Sequence, residues 1–159
     1  MLTKVRGVLS SRQPFRVIGK SVRNLFFPSA DDADRLRKTL QIEVSSFCSA
    51  RCVFCAYKYG RRRRGKMSFE VFGDIVRSAV SSGMEYLDMT PLTGDLFTHE
   101  RAVEMITAAR QAGIRLIEAY TNGILLHRHD MAQLVTSGID PLYISFPGFE
   151  ERQFEEIFG

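Results

Sequence analysis

The chain has 159 residues, of which 45% are hydrophobic and 25% charged, the composition of an ordinary soluble globular domain. No apolar stretch approaches the roughly 18 to 20 residues of a membrane span, and no apolar core follows the basic N-terminus. We therefore expect neither a transmembrane segment nor a secretory signal peptide. The formal net charge of +4 is concentrated in residues 1–30, which contain six basic residues and no acidic one. Because the rest of the chain is nearly neutral, charge alone does not predict a nucleic-acid partner.

Residues 1–38 precede any strand-like pattern and are predicted to form a helical leader. Apolar residues recur at helical spacing between Phe15 and Leu25, and basic residues lie on the opposite side of the same helix. A second short helix is predicted to begin near Asp31 and end near Lys38. The basic amphipathic helix either packs on the outside of the domain or contacts a membrane surface or a partner.

Residues 39–159 repeat a strand–helix unit four times and are predicted to form the core domain. Strands are predicted over residues 40–44, 84–89, 114–120 and 142–146. Helices are predicted from a Ser68 cap to Gly83, from a Thr98 cap to Gly113, over residues 125–137 before Gly138, and over a last amphipathic segment with Phe154, Ile157 and Phe158. This order indicates an α/β fold with parallel strands, in an open sheet or a barrel.

Residues able to do chemistry follow each predicted strand. The cysteines follow the first strand, residues 93–95 the second and residues 121–123 the third, while Ser145 ends the fourth. Both parallel architectures collect their sites at the carboxyl ends of the strands, so these loops are expected to share one rim.

All three cysteines of the chain, Cys48, Cys52 and Cys55, lie within eight positions in a C-x3-C-x2-C pattern. An odd number of clustered cysteines argues against a disulfide framework and favours a metal centre in a reducing compartment such as the cytoplasm. A [4Fe–4S] cluster held by three thiolates keeps one iron open, whereas a closed zinc site needs a fourth ligand, for which His99 is a candidate.

The motifs resemble those of the radical S-adenosylmethionine (radical SAM) enzymes. The cysteine pattern includes an aromatic residue, Phe54, directly before the last cysteine, as in that family. The family's Gly-Gly-Glu stretch corresponds to Thr93-Gly94-Asp95, and its Thr-Asn-Gly stretch is present at residues 121–123. The fourth strand keeps Ser145 but has proline at position 147, where the family commonly has aspartate.

This resemblance implies the first four βα units of a partial (βα)6 TIM-like barrel. It also implies a [4Fe–4S] cluster on the three cysteines, SAM as the second cofactor, and reductive cleavage of SAM to a radical that abstracts hydrogen from an unknown substrate. A reductant such as flavodoxin or ferredoxin is the implied partner. The SAM-binding candidates are Phe54, Gly94, Asp95, Thr121, Asn122 and Ser145, with Asp95 expected to accept a hydrogen bond from the SAM ammonium group.

Four strands would leave the last one as an open edge. The chain is therefore expected to be a fragment, to be completed by a partner or by self-association, or to be a degraded relative that serves as an iron–sulfur scaffold. A zinc-stabilised structural domain is the remaining alternative.

The basic tract Arg61-Arg62-Arg63-Arg64-Gly65-Lys66 has two interpretations. Charge runs are commonly solvated surface, but this one also suits an anionic substrate, a phosphate-bearing partner, an acidic electron donor or the SAM carboxylate. His127 and His129 are two residues apart on a predicted helix, a spacing that does not favour a shared metal.

Overall fold

A computed structural model of the protein describes residues 30–159. The helices are α1 (Ala30–Arg37), α2 (Phe69–Ser81), α3 (Ala102–Gln111), α4 (Met131–Thr136) and α5 (Glu151–Phe158), and the strands are β1 (Thr39–Gln41), β2 (Tyr86–Asp88), β3 (Leu116–Thr121) and β4 (Leu142–Ile144). Short 3₁₀ turns lie at Ala56–Tyr59, Leu96–Thr98 and Leu126–Arg128. Each helix of residues 30–159 is too short or too polar to cross a membrane. The helix predicted between Phe15 and Leu25 lies outside the described residues.

Helix α1 belongs to a unit that ends at Arg37, and residues 38–159 form a second unit. The first turn of α1 carries Asp31 and Asp32 and its last turn Arg35 and Arg37. Acidic residues near a helix N-terminus and basic residues near its C-terminus stabilise the helix dipole. The short helix predicted from Asp31 is therefore present, and its role in a separate leader stays a prediction.

The four strands form one parallel sheet in the order β1-β2-β3-β4. The longest strand, β3, pairs through Leu116–Glu118 with β2 and through Ala119–Thr121 with β4. Sequential parallel strands joined by helices confirm the predicted α/β fold. The sheet brings the segments that follow all four strands to the same rim.

The core lies around this sheet and is built from apolar residues of both strands and helices. Leu87 and Ile117 of neighbouring strands are fully buried and adjacent in register, and Phe72 of α2 and Ile106 of α3 are buried in the same cluster. This packing fixes the strands, and with them the loops at their carboxyl ends.

Most predicted helix ends are confirmed. The Ser68 side chain accepts a hydrogen bond from the Val71 N–H at the start of α2. Gly83, Gly113 and Gly138 follow helices with φ between 84° and 109°, the left-handed region that glycine adopts readily.

Two predicted helix starts are wrong. Thr98 does not cap α3, because its hydroxyl donates to Ser45 Oγ at 2.7 Å and the helix begins only at Ala102. The helix predicted over residues 125–137 is divided, because the Asp130 carboxylate accepts from two N–H groups and starts α4 there. In both cases a polar side chain makes a hydrogen bond that helical periodicity does not reveal.

Candidate functional site

The cysteines and the basic tract belong to one excursion of the chain between β1 and α2. Its base is closed by antiparallel pairing of residues 44–46 with residues 65–67. Met67 N–H donates to the Val44 carbonyl at 2.8 Å, and Ser46 and Gly65 exchange hydrogen bonds through Gly65 O and Ser46 Oγ. The excursion, which we call the cysteine loop (residues 47–64), is thus anchored directly beside the sheet.

All three cysteines are free and partly buried, and N–H groups point at two of the sulfurs. Cys48 Sγ accepts hydrogen bonds from Ala50 N–H and from the Asn122 side-chain amide, each at 3.4 Å. Cys55 Sγ accepts one from Tyr57 N–H, also at 3.4 Å. N–H donors of this kind stabilise thiolates and tune the potential of thiolate-bound iron–sulfur clusters.

The thiols of Cys48 and Cys52 resist ionisation in the cluster-free protein. Burial raises the pKa of the Cys48 thiol above its usual value, the Ala50 N–H offsets part of this rise, and the charge of Asp95 adds to it. Burial also raises the pKa of the Cys52 thiol. Both are therefore mainly protonated near neutral pH, and a metal that binds them must displace protons.

The loop after β2 packs tightly against the base of the cysteine loop. A Cβ placed on Gly94 would lie 2.1 Å from the Ser45 carbonyl oxygen, so only glycine fits without backbone movement. The next N–H, that of Asp95, donates to the Phe47 carbonyl at 2.8 Å. Gly94 thus serves the close approach of two loops.

Asp95 is 2% exposed and joins the loops that follow β2 and β3. Its Oδ2 accepts from the Thr121 hydroxyl at 2.7 Å and from Asn122 N–H at 2.9 Å, and its Oδ1 accepts from Phe97 N–H at 2.9 Å. Three donors within the protein occupy most of the roughly four acceptor positions of a carboxylate. Its evident role in this structure is to hold Thr121 and Asn122 in place.

The three cysteines and the six SAM-binding candidates from the sequence meet in one cavity of about 160 Å³ at the carboxyl ends of the strands, which we call the strand-end cavity. Its lining includes every one of those residues, namely Cys48, Cys52, Phe54, Cys55, Gly94, Asp95, Thr121, Asn122 and Ser145. Phe54 is 74% exposed, so its ring is open to contact from a ligand.

Four further residues line this cavity and were missed from the sequence: Thr90, Pro91, Tyr120 and Phe158. Tyr120 directly precedes the Thr-Asn-Gly stretch and stacks on Tyr143 at 4.4 Å between ring centroids, so its place at the strand end was a usable signal. No local sequence pattern predicted a role for Phe158, which lines the cavity because α5 packs back against the cysteine loop.

The Radical SAM superfamily model matches residues 42–159. The chain belongs to the radical SAM superfamily. GTP 3',8-cyclase of Cronobacter sakazakii is 30% identical over 125 residues, which cover 76% of this chain and 37% of the cyclase. The tungsten-containing aldehyde ferredoxin oxidoreductase cofactor-modifying protein of Pyrococcus furiosus is 27% identical over 108 residues, which cover 68% of this chain and 30% of that protein. The matches thus cover 37% and 30% of the length of these two curated relatives.

Solved structures share the fold. BtrN in complex with AdoMet and 2-DOIA superposes with a TM-score of 0.60 at 18% identity, covering 67% of this chain and 44% of BtrN. Methylornithine synthase (PylB) superposes with a TM-score of 0.54 at 16% identity, covering 87% of this chain and 47% of PylB. The four parallel βα units therefore correspond to part of a radical SAM TIM-like barrel, as the sequence predicted.

The basic tract of this radical SAM domain is partly paired and partly free. Arg62 pairs with Glu43, and Lys66 lies 2.5 Å from Glu100 and lowers the pKa of that carboxyl to about 2. Arg64 instead stacks on Tyr57, with 3.9 Å between the guanidinium and the ring centroid.

The histidine side chains make hydrogen bonds within the protein. His99 is 4% exposed, its Nε2 lies 2.9 Å from the Met67 carbonyl, and its Nδ1 accepts from Arg101 N–H at 3.1 Å. Residues 30–159 contain no group of three or more His, Cys, Asp or Glu side chains placed to hold one metal ion. Because both ring nitrogens of His99 have partners within the protein, its imidazole would have to give these up to serve as the fourth ligand of a Cys3His zinc site.

Proposed function

We propose that Cys48, Cys52 and Cys55 bind three irons of a [4Fe–4S] cluster and that SAM binds in the strand-end cavity. On this proposal the chain carries the catalytic core of an enzyme that cleaves SAM reductively. The observation that carries it is the meeting of three free cysteines with the loops after β2, β3 and β4 in that one cavity.

The donor set suits a cluster better than a single ion. Three thiolates bound to three different irons need not converge on one point, and N–H groups already aim at Cys48 and Cys55. Held by Cys48, Cys52 and Cys55, the cluster would supply the one electron for reductive cleavage of SAM into methionine and a 5'-deoxyadenosyl radical, the species that would take hydrogen from the substrate.

The chain's own residues bind the cofactors, orient them and exclude water from them. Asp95 fixes the Thr121 hydroxyl and the Asn122 backbone, and the Asn122 amide in turn donates to Cys48. Phe54 and Tyr120 offer exposed aromatic surface to the adenosyl group. These contacts keep the reacting groups in one orientation, which is the main contribution of a protein to cofactor chemistry.

The test is anaerobic reconstitution with iron and sulfide, followed by SAM and dithionite. We expect a brown protein with broad absorption near about 400 nm and then release of 5'-deoxyadenosine. Cys52→Ala removes both signals, whereas Val53→Ala, a change in the same loop that removes no ligand, keeps them. A colourless protein that binds one zinc overturns the cluster. A full cluster without 5'-deoxyadenosine supports the scaffold alternative for this chain.

A further inference from the structure

We propose that the basic side of the cysteine loop, defined as Arg51, Lys58, Arg61, Arg63 and Arg64, is the docking surface for an acidic one-electron carrier protein. This inference rests on the proposed function, because reductive cleavage of SAM consumes one electron that the substrate side does not supply. In the transfer, the reduced carrier loses one electron and the cluster gains it, while no bond forms or breaks.

Cys48 and Cys52 border two cavities. One is the strand-end cavity, which holds the motif residues of the β2, β3 and β4 loops. The other, of about 490 Å³, is lined by those two cysteines together with Ser49, Arg51, Tyr57, Lys58 and Arg64 and contains none of the strand-end motif residues. A carrier that approaches over the second cavity reaches the cluster ligands without entering the space proposed for SAM.

The basic side of the cysteine loop carries almost only positive charge. Residues 51–66 contain seven basic residues and no acidic one. Glu43 and Glu100 compensate Arg62 and Lys66, but Arg51, Arg61 and Arg63 form no ion pair with any carboxylate of residues 30–159. A cluster of uncompensated cations attracts an acidic partner and speeds its association.

Two of the cations are held in place next to cluster ligands. The Tyr57 hydroxyl accepts from Cys48 N–H at 3.1 Å, and the same ring carries the Arg64 guanidinium. Lys58 donates to the Val53 carbonyl at 3.0 Å. These contacts reduce the side-chain entropy that Arg64 and Lys58 lose on binding.

An acidic protein explains more of this surface than a small anion does. A single phosphate or carboxylate would engage Arg51, Lys58 and Arg64 in the cavity and would leave Arg61 and Arg63 without a role. Val53 is 57% and Tyr59 75% exposed, which adds apolar contact beside the charges. A small, mainly electrostatic patch with a few apolar residues is typical of transient electron-transfer interfaces.

The experiment compares the reconstituted wild type with Lys58→Gln/Arg61→Gln/Arg63→Gln, using reduced flavodoxin as the acidic carrier and dithionite as the small reductant. Stopped-flow bleaching of the cluster gives the reduction rate, and oxidised flavodoxin gives the equilibrium affinity for cluster-loaded and cluster-free protein. We expect the variant to lose at least about tenfold in flavodoxin reduction rate and affinity at low salt, and to change less than about twofold in the rate with dithionite, a small anion that engages few of these cations at once. Arg77→Gln/Arg115→Gln, which removes two exposed arginines outside the loop, behaves as wild type.

An unchanged flavodoxin rate in a variant with full cluster content overturns the proposal. So does a variant that binds flavodoxin normally but no longer binds pyrophosphate, since the surface would then be a small-anion site. If no cluster assembles, the proposed function fails, and flavodoxin binding to the cluster-free protein still decides the docking surface.

Discussion

The Asp95 carboxylate accepts a 2.7 Å hydrogen bond from the Thr121 hydroxyl, and both residues are buried. The same oxygen accepts a hydrogen bond from the backbone N–H of Asn122, and the side-chain amide of Asn122 donates one to Cys48 Sγ. A series of hydrogen bonds therefore runs from the loop after β2, through the loop after β3, to a cysteine of the loop after β1. This hydrogen-bond network joins three loops that are far apart in sequence into one site.

Asp95→Asn is expected to destabilise the protein by about 2 kcal/mol. The amide replaces one acceptor oxygen by a donor, so at least one buried N–H or hydroxyl loses its partner. Urea unfolding measures the change. Asp74→Asn, at a carboxylate that pairs with Arg77 on the exposed face of α2, changes the free energy of unfolding by less than about 0.5 kcal/mol. Equal effects at both positions would contradict the structural role of Asp95.

Gly94→Ala is expected to cost at least about 2 kcal/mol, because its methyl group would overlap the Ser45 carbonyl oxygen and force two loops apart. The separation would also displace the base of the cysteine loop and lower the iron content after reconstitution. Gly65→Ala is the matched control, since no atom lies within 4 Å of its added Cβ. Thermal unfolding and iron analysis distinguish the two variants.

Phe158→Ala is expected to weaken the hold of α5 on the cysteine loop. The Phe158 carbonyl accepts from Arg51 N–H at 2.7 Å, and its ring is 4% exposed. Loss of the buried ring costs about 3 kcal/mol, and faster loss of the cluster to a chelator should accompany it. Phe149→Ala, at a ring 97% exposed, should leave both measurements unchanged. Identical chelation rates for the two variants would contradict the predicted hold.

Alkylation of Cys48 by iodoacetamide in the cluster-free protein should be slower at pH 8 than alkylation of a free cysteine peptide. The rate at Cys48 should rise with pH, and this rise should occur at a higher pH than it does for the peptide. The reason is that burial raises the pKa of this thiol, so a smaller fraction is the reactive thiolate. Because the protonated form is favoured in the fold, cluster assembly should release protons and become more favourable as pH rises. Peptide mass spectrometry gives the rate at Cys48. A rate equal to that of the peptide at each pH would contradict this prediction.

Asn122→Ala is expected to lower the reduction potential of the bound cluster. Its amide donates to Cys48 Sγ, and a lost hydrogen bond of about 1 kcal/mol corresponds to roughly 40 mV for one electron. Spectroelectrochemical titration measures the shift. Ser49→Ala, which removes a donor to the side-chain Oδ1 of Asn122 but none to sulfur, should leave the potential near the wild-type value. A rise in the reduction potential of Asn122→Ala would contradict the role of Asn122 as a hydrogen-bond donor to a cluster ligand.

The sequence alone determined the order and type of most core elements and the identity of the cysteine motif. Helix caps and helix-ending glycines are local signals, so the Ser68 start and the Gly83 end of α2 followed from neighbouring residues. Strand–helix alternation then required parallel strands, and parallel strands place the residues that follow them on one rim. For that reason Cys48 and Thr121 were predicted to share a site although they are 73 positions apart.

Tertiary structure decided what each side chain does at that rim. Asp95 binds three donors of the protein, and Arg64 lies on Tyr57 rather than on a carboxylate. Phe158 reaches the cavity because α5 packs against the cysteine loop. These outcomes depend on contacts between segments distant in sequence, and periodicity and spacing describe only neighbours along the chain.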